Sequence, residues 1–193
     1  MVLLVTTGKS VAEKEAIEAE RLQQAEIKRQ AELERQRQEK EAKLAARKQK
    51  LAPYINLLNS GVLVDLGLPS VTLWYAKNEG GDYVRYTYNE AVSKFGNKLP
   101  TKEQLEELKN QCTWTWTGSG YKVVGPNGNS IYFPAPGYRS CNGSVYDVGS
   151  IGVYWSSTPN GSDIAYDLSL NSGKVYIGHS YRCAGRSVRL VAH

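Results

Sequence analysis

The chain of 193 residues is poor in the residues that most often do chemistry: it has two His, three Cys and one Met, and its first eight residues hold an apolar run of only four. With no CxxC and no Cys/His ligand spacing, there is no zinc signature, and an odd number of cysteines leaves at least one of Cys112, Cys141 and Cys183 free or paired with another chain. Asp147, Asp163 and Asp167 lack the loop spacing of a calcium site. Gly118-Ser-Gly120 and Gly125-Pro-Asn-Gly128 read as turns, because no Lys-Ser/Thr and helix follow them as in a phosphate loop. His179 has no carboxylate or nucleophile at a spacing that would make it a base. No cofactor or metal is expected, and neither is catalysis.

Charge of one sign is also missing. Residues 9–50 hold 12 of the 24 Lys and Arg and 9 of the 19 Asp and Glu, and residues 61–193 hold 12 and 10, so the net charge of +5 is spread thinly over both parts. That distribution gives no basic face and argues against a nucleic-acid partner. Met1–Gly8 has no preceding Lys or Arg and no small-residue cleavage pattern, and reads as neither a signal peptide nor a membrane span.

What the chain does contain divides near residue 60, giving an expected stalk at 1–59 and a globular domain at 60–193. Ser10-Val-Ala-Glu13 is a capping box, and from Val11 to about Leu51 there is no Gly or Pro, so one long helix is expected, with Pro53 interrupting it or opening a short second turn. Val11, Leu22, Leu33, Leu44 and Ile55 recur every eleven residues, a period that keeps to one helix face with a slight right-handed drift; Ala25 and Leu51 widen the stripe. This predicts a parallel oligomerising stalk, a trimer or similar. The alternative is a solvated single helix held by pairs such as Glu26 with Arg29 and Glu32 with Arg35.

Beyond Gly61 the sequence turns rich in Gly, Tyr and Ser. Strands are expected at Val62–Leu66 and Thr72–Tyr75. Helices follow at Tyr88–Phe95 and from Thr101, where Gln104 completes another capping box, to about Asn110. A hairpin is expected at Tyr121–Val124 and Ser130–Phe133, then strands at Tyr154–Ser156, Ile164–Leu170, Lys174–Ile177 and Ser187–Val191. Two early helices followed by short strands make an α+β pattern.

Four runs then carry a resemblance: Val64-Asp-Leu-Gly-Leu-Pro-Ser-Val-Thr-Leu-Trp74, Leu99-Pro-Thr-Lys-Glu-Gln-Leu-Glu-Glu-Leu108, Tyr154-Trp-Ser-Ser-Thr158 and Gly185-Arg-Ser-Val-Arg-Leu-Val191. Together, over residues 62–191, they resemble the C-type-lectin-fold domains of Bacteroidetes and Fibrobacter surface proteins, distant relatives of the formylglycine-generating enzyme fold. The resemblance implies a terminal strand that pairs back near the first, and a loop-rich binding face built from the C-terminal half. Glu-Pro-Asn, Gln-Pro-Asp and Trp-Asn-Asp, which mark calcium-dependent sugar binding in such lectins, do not occur here. Cys141 and Cys183 could stand for the paired cysteines of the enzyme relatives, but their neighbours do not match that family's motif.

The chain also resembles a subset of this fold, the variable proteins of diversity-generating retroelements, whose AAC codons become NNC and so cannot encode Met, Trp, Gln, Lys or Glu. Residues 112–193 contain no Glu, Gln or Met. Positions interleaved with framework-like residues are Ser140, Cys141, Tyr146, Asp147, Ile151, Val153, Asp163, Ile164, Asp167, Ser169, Tyr176, Gly178, His179, Ser180, Tyr181, Cys183 and Ala184, and every one is NNC-encodable. The alternative is an ordinary β-rich domain, low in Glu and Gln because strands disfavour them. The resemblance implies non-catalytic recognition of a protein or glycan on another cell, at a phage tail tip or bacterial surface. Tyr146, Tyr176 and Tyr181 would supply most contact area, Ile151, Val153 and Ile164 apolar contact, and Asp147, Asp163, Asp167 and His179 polar specificity. The other readings are an invariant surface adhesin of the same fold and an enzyme related to formylglycine generation.

Overall fold

The computed structural model describes residues 10–193; the expectation for Met1–Gly8 lies outside them. The protein is mixed α+β, and it divides into two compact units, Met1–Gln49 and Lys50–His193. Helix α1 spans Val11–Leu51, about 60 Å at 1.5 Å per residue. It starts where the capping box requires: Glu13 N donates to Ser10 Oγ and Ser10 N to the Glu13 carboxylate. Glu32 pairs with Arg35 at 2.8 Å as expected, whereas Glu26 accepts from Gln30. Val11, Leu22, Leu33 and Leu44 are all exposed. Among the described residues, no helix is long and apolar enough to cross a membrane.

Pro53 forces a 3₁₀ turn at Ala52–Tyr54, and a short helix α2 (Ile55–Asn59) follows. Gly61, at φ 72°, takes the left-handed conformation that lets the chain turn out of it. The segment 50–59 belongs to the second unit because α2 packs against β1 (Leu63–Asp65) and the Tyr54 hydroxyl donates to the His193 carbonyl at 3.0 Å.

β1 pairs antiparallel with β2 (Leu73–Tyr75), and the far end of the chain, β11 (Val191–Ala192), pairs with the other edge of β2. Between them come α3 (Tyr88–Phe95) and α4 (Lys102–Gln111), each opened by a capping box, Thr87 with Glu90 and Thr101 with Gln104. A second sheet has β4 (Gly120–Val124) between β3 (Thr113–Trp116) and β5 (Ser130–Pro134). A two-stranded ribbon follows, β6 (Tyr138–Arg139) and β7 (Val145–Tyr146). The longest sheet has β9 (Ile164–Asn171) between β8 (Ile151–Pro159) and β10 (Lys174–Tyr181).

That sheet separates two cores. Tyr154, Leu168 and Leu170 join Leu66, Trp74, Leu105, Leu108 and Phe133 on one side, and Trp155 and Ala165 join Tyr88, Ala91, Leu99 and Val188 on the other. Cys112 sits half-buried against the first core, and burial together with Glu107 pushes its thiol up to about 11, so it packs as a small apolar group. The strand expected at Ser187–Val191 is interrupted: Ser187 bridges Tyr154, Arg189 turns inward, and regular pairing resumes only at Val191.

Arg189 is 1% exposed. Its guanidinium donates to the carbonyls of Tyr75, Ala76 and Tyr132 and to Asn78 Oδ1, at 2.7–3.0 Å, and lies 4.5 Å from the Phe133 ring centre. Removing it strands those acceptors in the interior, at about 1–3 kcal/mol for each one left unpaired. Arg189→Met is therefore expected to lose more than about 3 kcal/mol, read as a lower urea midpoint at unchanged slope; a midpoint equal to wild type would refute the account.

Candidate functional site

Strand alternation sorts the candidate residues before any contact is considered. In the β8–β9–β10 sheet, Val153, Ser169 and Tyr176 form one cross-strand row, with Trp155, Asp167 and Gly178 the next; Ala165 and Ser180 lie beyond. The opposite face carries the pairs Tyr166 with His179 and Ile164 with Tyr181. Tyr176, Gly178 and Ser180 are thus on one face, and His179 and Tyr181 on the other. A single run of sequence gave no sign of that split, because consecutive strand residues always diverge.

Burial sorts them again. Cys141, Tyr146, Asp147, Asp163, Tyr176, His179, Tyr181 and Cys183 are exposed, and Ser140, Ile151, Ile164, Gly178 and Ser180 are partly so. Val153, Asp167, Ser169 and Ala184 are buried, at 6%, 1%, 8% and 4% exposure, and cannot be surface contacts. Val153 shares a face with Trp155 and its carbonyl accepts from the Ser187 N–H, and Ala184 sits in the turn that closes onto Tyr181 through its N–H.

Asp167 has structural partners. Ser169 Oγ donates to its Oδ1 at 2.8 Å and Ser180 Oγ to its Oδ2 at 2.6 Å; Arg186 Nε donates in turn to Ser180 Oγ at 3.0 Å. Burial holds the Asp167 carboxyl above the usual carboxylate range, against the two hydroxyl bonds and the nearby Arg186 charge. A Cβ at Gly178 would meet Asp167 Oδ1 at 2.8 Å, so this glycine makes room for the network.

Above the network lies a ribbon that sequence patterning missed. Tyr86 bridges Arg186, Gly185 bridges Arg139, and Tyr138 pairs with Tyr146. The Arg186 guanidinium stacks 4.9 Å from the Tyr138 ring centre, and the Tyr138 and Tyr146 rings are 5.8 Å apart. Tyr138, Arg139 and Arg186 are thus part of the site although none was a candidate. Two-residue strands leave no periodic signal; the repeated Tyr and Arg around Gly137 and Gly185 were the available sign.

A disulfide between Cys141 and Cys183, with Cα atoms 5.1 Å apart, ties the β6–β7 turn to the end of β10 and settles the odd-cysteine question with Cys112 as the free thiol. Next to it the Arg182 N–H donates to the Asp163 carbonyl, and Tyr181 pairs with Ile164. Paired backbone therefore runs continuously from Tyr146 through Tyr138, Arg139 and Gly185 to the bonded Cys183, Tyr181 and Ile164. Tyr146 and Tyr181 are 45% and 66% exposed along it, and Tyr176, 41% exposed, lies earlier on β10 with its side chain on the other face of the sheet from Tyr181. Asp147 adopts φ 57°, a left-handed conformation that Asp, Asn and Gly reach at least cost. Among the described residues no group of three or more His, Cys, Asp or Glu could hold a metal ion.

The disulfide closes a loop with a sequence separation of 42, worth about 3–4 kcal/mol in chain entropy. Cys141→Ser with Cys183→Ser is expected to lower stability by up to that amount while leaving far-UV circular dichroism unchanged. The same loss should appear on adding reductant to wild type, and identical melting with and without reductant would count against the bond.

Comparison with known proteins places the match on this half of the molecule. Residues 97–191, from the turn before α4 to the start of β11, match the family model described as Domain of unknown function (DUF8237). No curated protein and no solved structure matches the chain.

Proposed function

We propose that this protein is a non-catalytic recognition protein: a C-type-lectin-fold domain, resembling the variable proteins of diversity-generating retroelements, multimerised by its N-terminal helix. The observation that carries the reading is the set of exposed tyrosines on backbone fixed by strand pairing and one disulfide. Tyr146, Tyr176 and Tyr181 offer large amphipathic surfaces with few torsions to freeze, which suits binding. The lectin fold is supported by the return of β11 to β2 and by the two helices that precede the strand-rich half. The partner is a protein or glycan on another cell, and the location a phage tail tip or bacterial surface. The Cys141–Cys183 bond supports an oxidising setting.

Of the seventeen positions, the eight exposed and five partly exposed ones remain open to recognition, those in the β8–β9–β10 sheet divided between its two faces; the four buried ones are withdrawn. The pairing of Cys141 with Cys183 is the one observation that favours the formylglycine-generating alternative. That enzyme would lose activity when both are changed to Ser, whereas a binder keeps its ligand.

The coding DNA tests the diversified reading against an invariant adhesin. Codons at the exposed positions are expected to read NNC, with a nearby near-repeat of the segment carrying AAC there; other third bases would rule diversification out. The stalk is tested in the full chain by light scattering. Wild type is expected to run as a trimer or similar, and L22E/L33E/L44E as a monomer of unchanged helicity, since the charges interrupt the eleven-residue stripe. A monomeric wild type would leave α1 as a solvated single helix.

A further inference from the structure

The ribbon beside the disulfide has two sides, and only one belongs to the proposed recognition face. Alternation puts Tyr86, Arg186, Tyr138 and Tyr146 on one side and Arg85, Gly185, Arg139 and Val145 on the other. On the second side the Arg139 side chain lies flat over Gly185: a Cβ there would meet Arg139 Nε at 2.6 Å and Nη2 at 3.1 Å. Arg139 is half-buried, and among the described residues no hydrogen bond or ion pair engages its guanidinium. Arg85 gives Nη1 to the Tyr83 carbonyl at 2.9 Å and Nη2 to the Pro136 carbonyl, and its Nε is buried with no partner.

Two cations thus share one patch with donors to spare. Burial first, and then the charge of Arg139, lower the Arg85 pKa, which places the two guanidinium groups within electrostatic reach of each other. Glu90 is within electrostatic reach of Arg139, but its Oε2 already accepts from Thr87 N at 2.7 Å and Thr87 Oγ1 at 2.8 Å. Beside Arg85 stands Tyr83, 71% exposed, which also lines a recess with Asp82, Tyr132 and Pro136.

We propose that Arg139 and Arg85, flanked by Tyr83, form a binding site for an oxyanion carried on a sugar, such as the carboxylate of a uronic acid. The guanidinium fork matches a carboxylate or sulfate in two parallel hydrogen bonds. The exposed ring offers the apolar face on which the C–H side of a pyranose rests. An acidic protein segment would also engage the arginines, but the exposed ring beside them adds a surface suited to the C–H face of a pyranose, so the sugar is the better fit. The site lies on the other side of the ribbon from Tyr138 and Tyr146 and does not depend on the diversified reading.

Saturation-transfer NMR and calorimetry on the full chain test it, with glucuronate, glucose 6-sulfate, glucose, acetate and a glutamate-rich peptide as probes. Glucuronate or glucose 6-sulfate is expected to bind, with transfer to the sugar ring protons, and glucose and acetate to bind at least about tenfold more weakly. Arg139→Gln should weaken the bound sugar about tenfold at unchanged melting temperature, and Arg139→Lys should recover only part, because an ammonium lacks the fork. Absence of binding by both acidic sugars, acetate as tight as glucuronate, the peptide tighter than either sugar, or R139Q indistinguishable from wild type would each overturn the site. These outcomes leave the codon test of the recognition face untouched.

Discussion

The guanidinium of Arg189 is the constraint on which the globular unit depends. None of its sheets has more than three strands, so the unit depends on contacts between the sheets as much as on pairing within them. Arg189 reaches backbone at the end of β2, the segment just past it and β5 at once, and through Asn78 it is linked to the Tyr154 hydroxyl in the central sheet. Among the described residues no carboxylate forms an ion pair with it, although the Asp82 charge lies within electrostatic reach. Its burial is tolerated because carbonyl dipoles surround it, so the surrounding loops are held to positions where those carbonyls converge.

The same economy governs the ribbon. Arg186, a second largely buried arginine, fills the space between Trp155, Tyr138 and the Asp167 network, and thereby carries order from the central sheet to strands of two residues. The two internal cations are three residues apart, at the place where the chain stops making regular β structure and crosses back toward β2. The interruption of the terminal strand and the order of the loops are two sides of one arrangement.

This explains what was legible in the sequence. The limits of α1, both globular helices and the β4–β5 hairpin rest on local chemistry, such as the Ser10 and Thr101 capping boxes and the Pro126–Asn129 turn, and local chemistry can be read one residue at a time. The candidate site was legible as a region and not as a surface. Asp167 reads as a polar contact and Ser169 as a surface position because a strand's inward and outward residues differ only by parity, and nothing local fixes which parity faces water when both faces of a sheet are covered. The Tyr138–Tyr146 ribbon is closed by a local turn at Ser140–Ser144, but its place in the fold depends on the bond to Cys183 and on Arg186, contacts distant in sequence.

The bond between Cys141 and Cys183 makes the intervening chain a covalent ring that contains β7, β8, β9 and β10. A backbone cut anywhere within that ring, including in the exposed Gly161–Asp163 and Ser172–Lys174 turns, converts the ring to an open chain and releases no fragment. The strands that bear most of the exposed candidates would stay attached through sulfur, held in register by their neighbours.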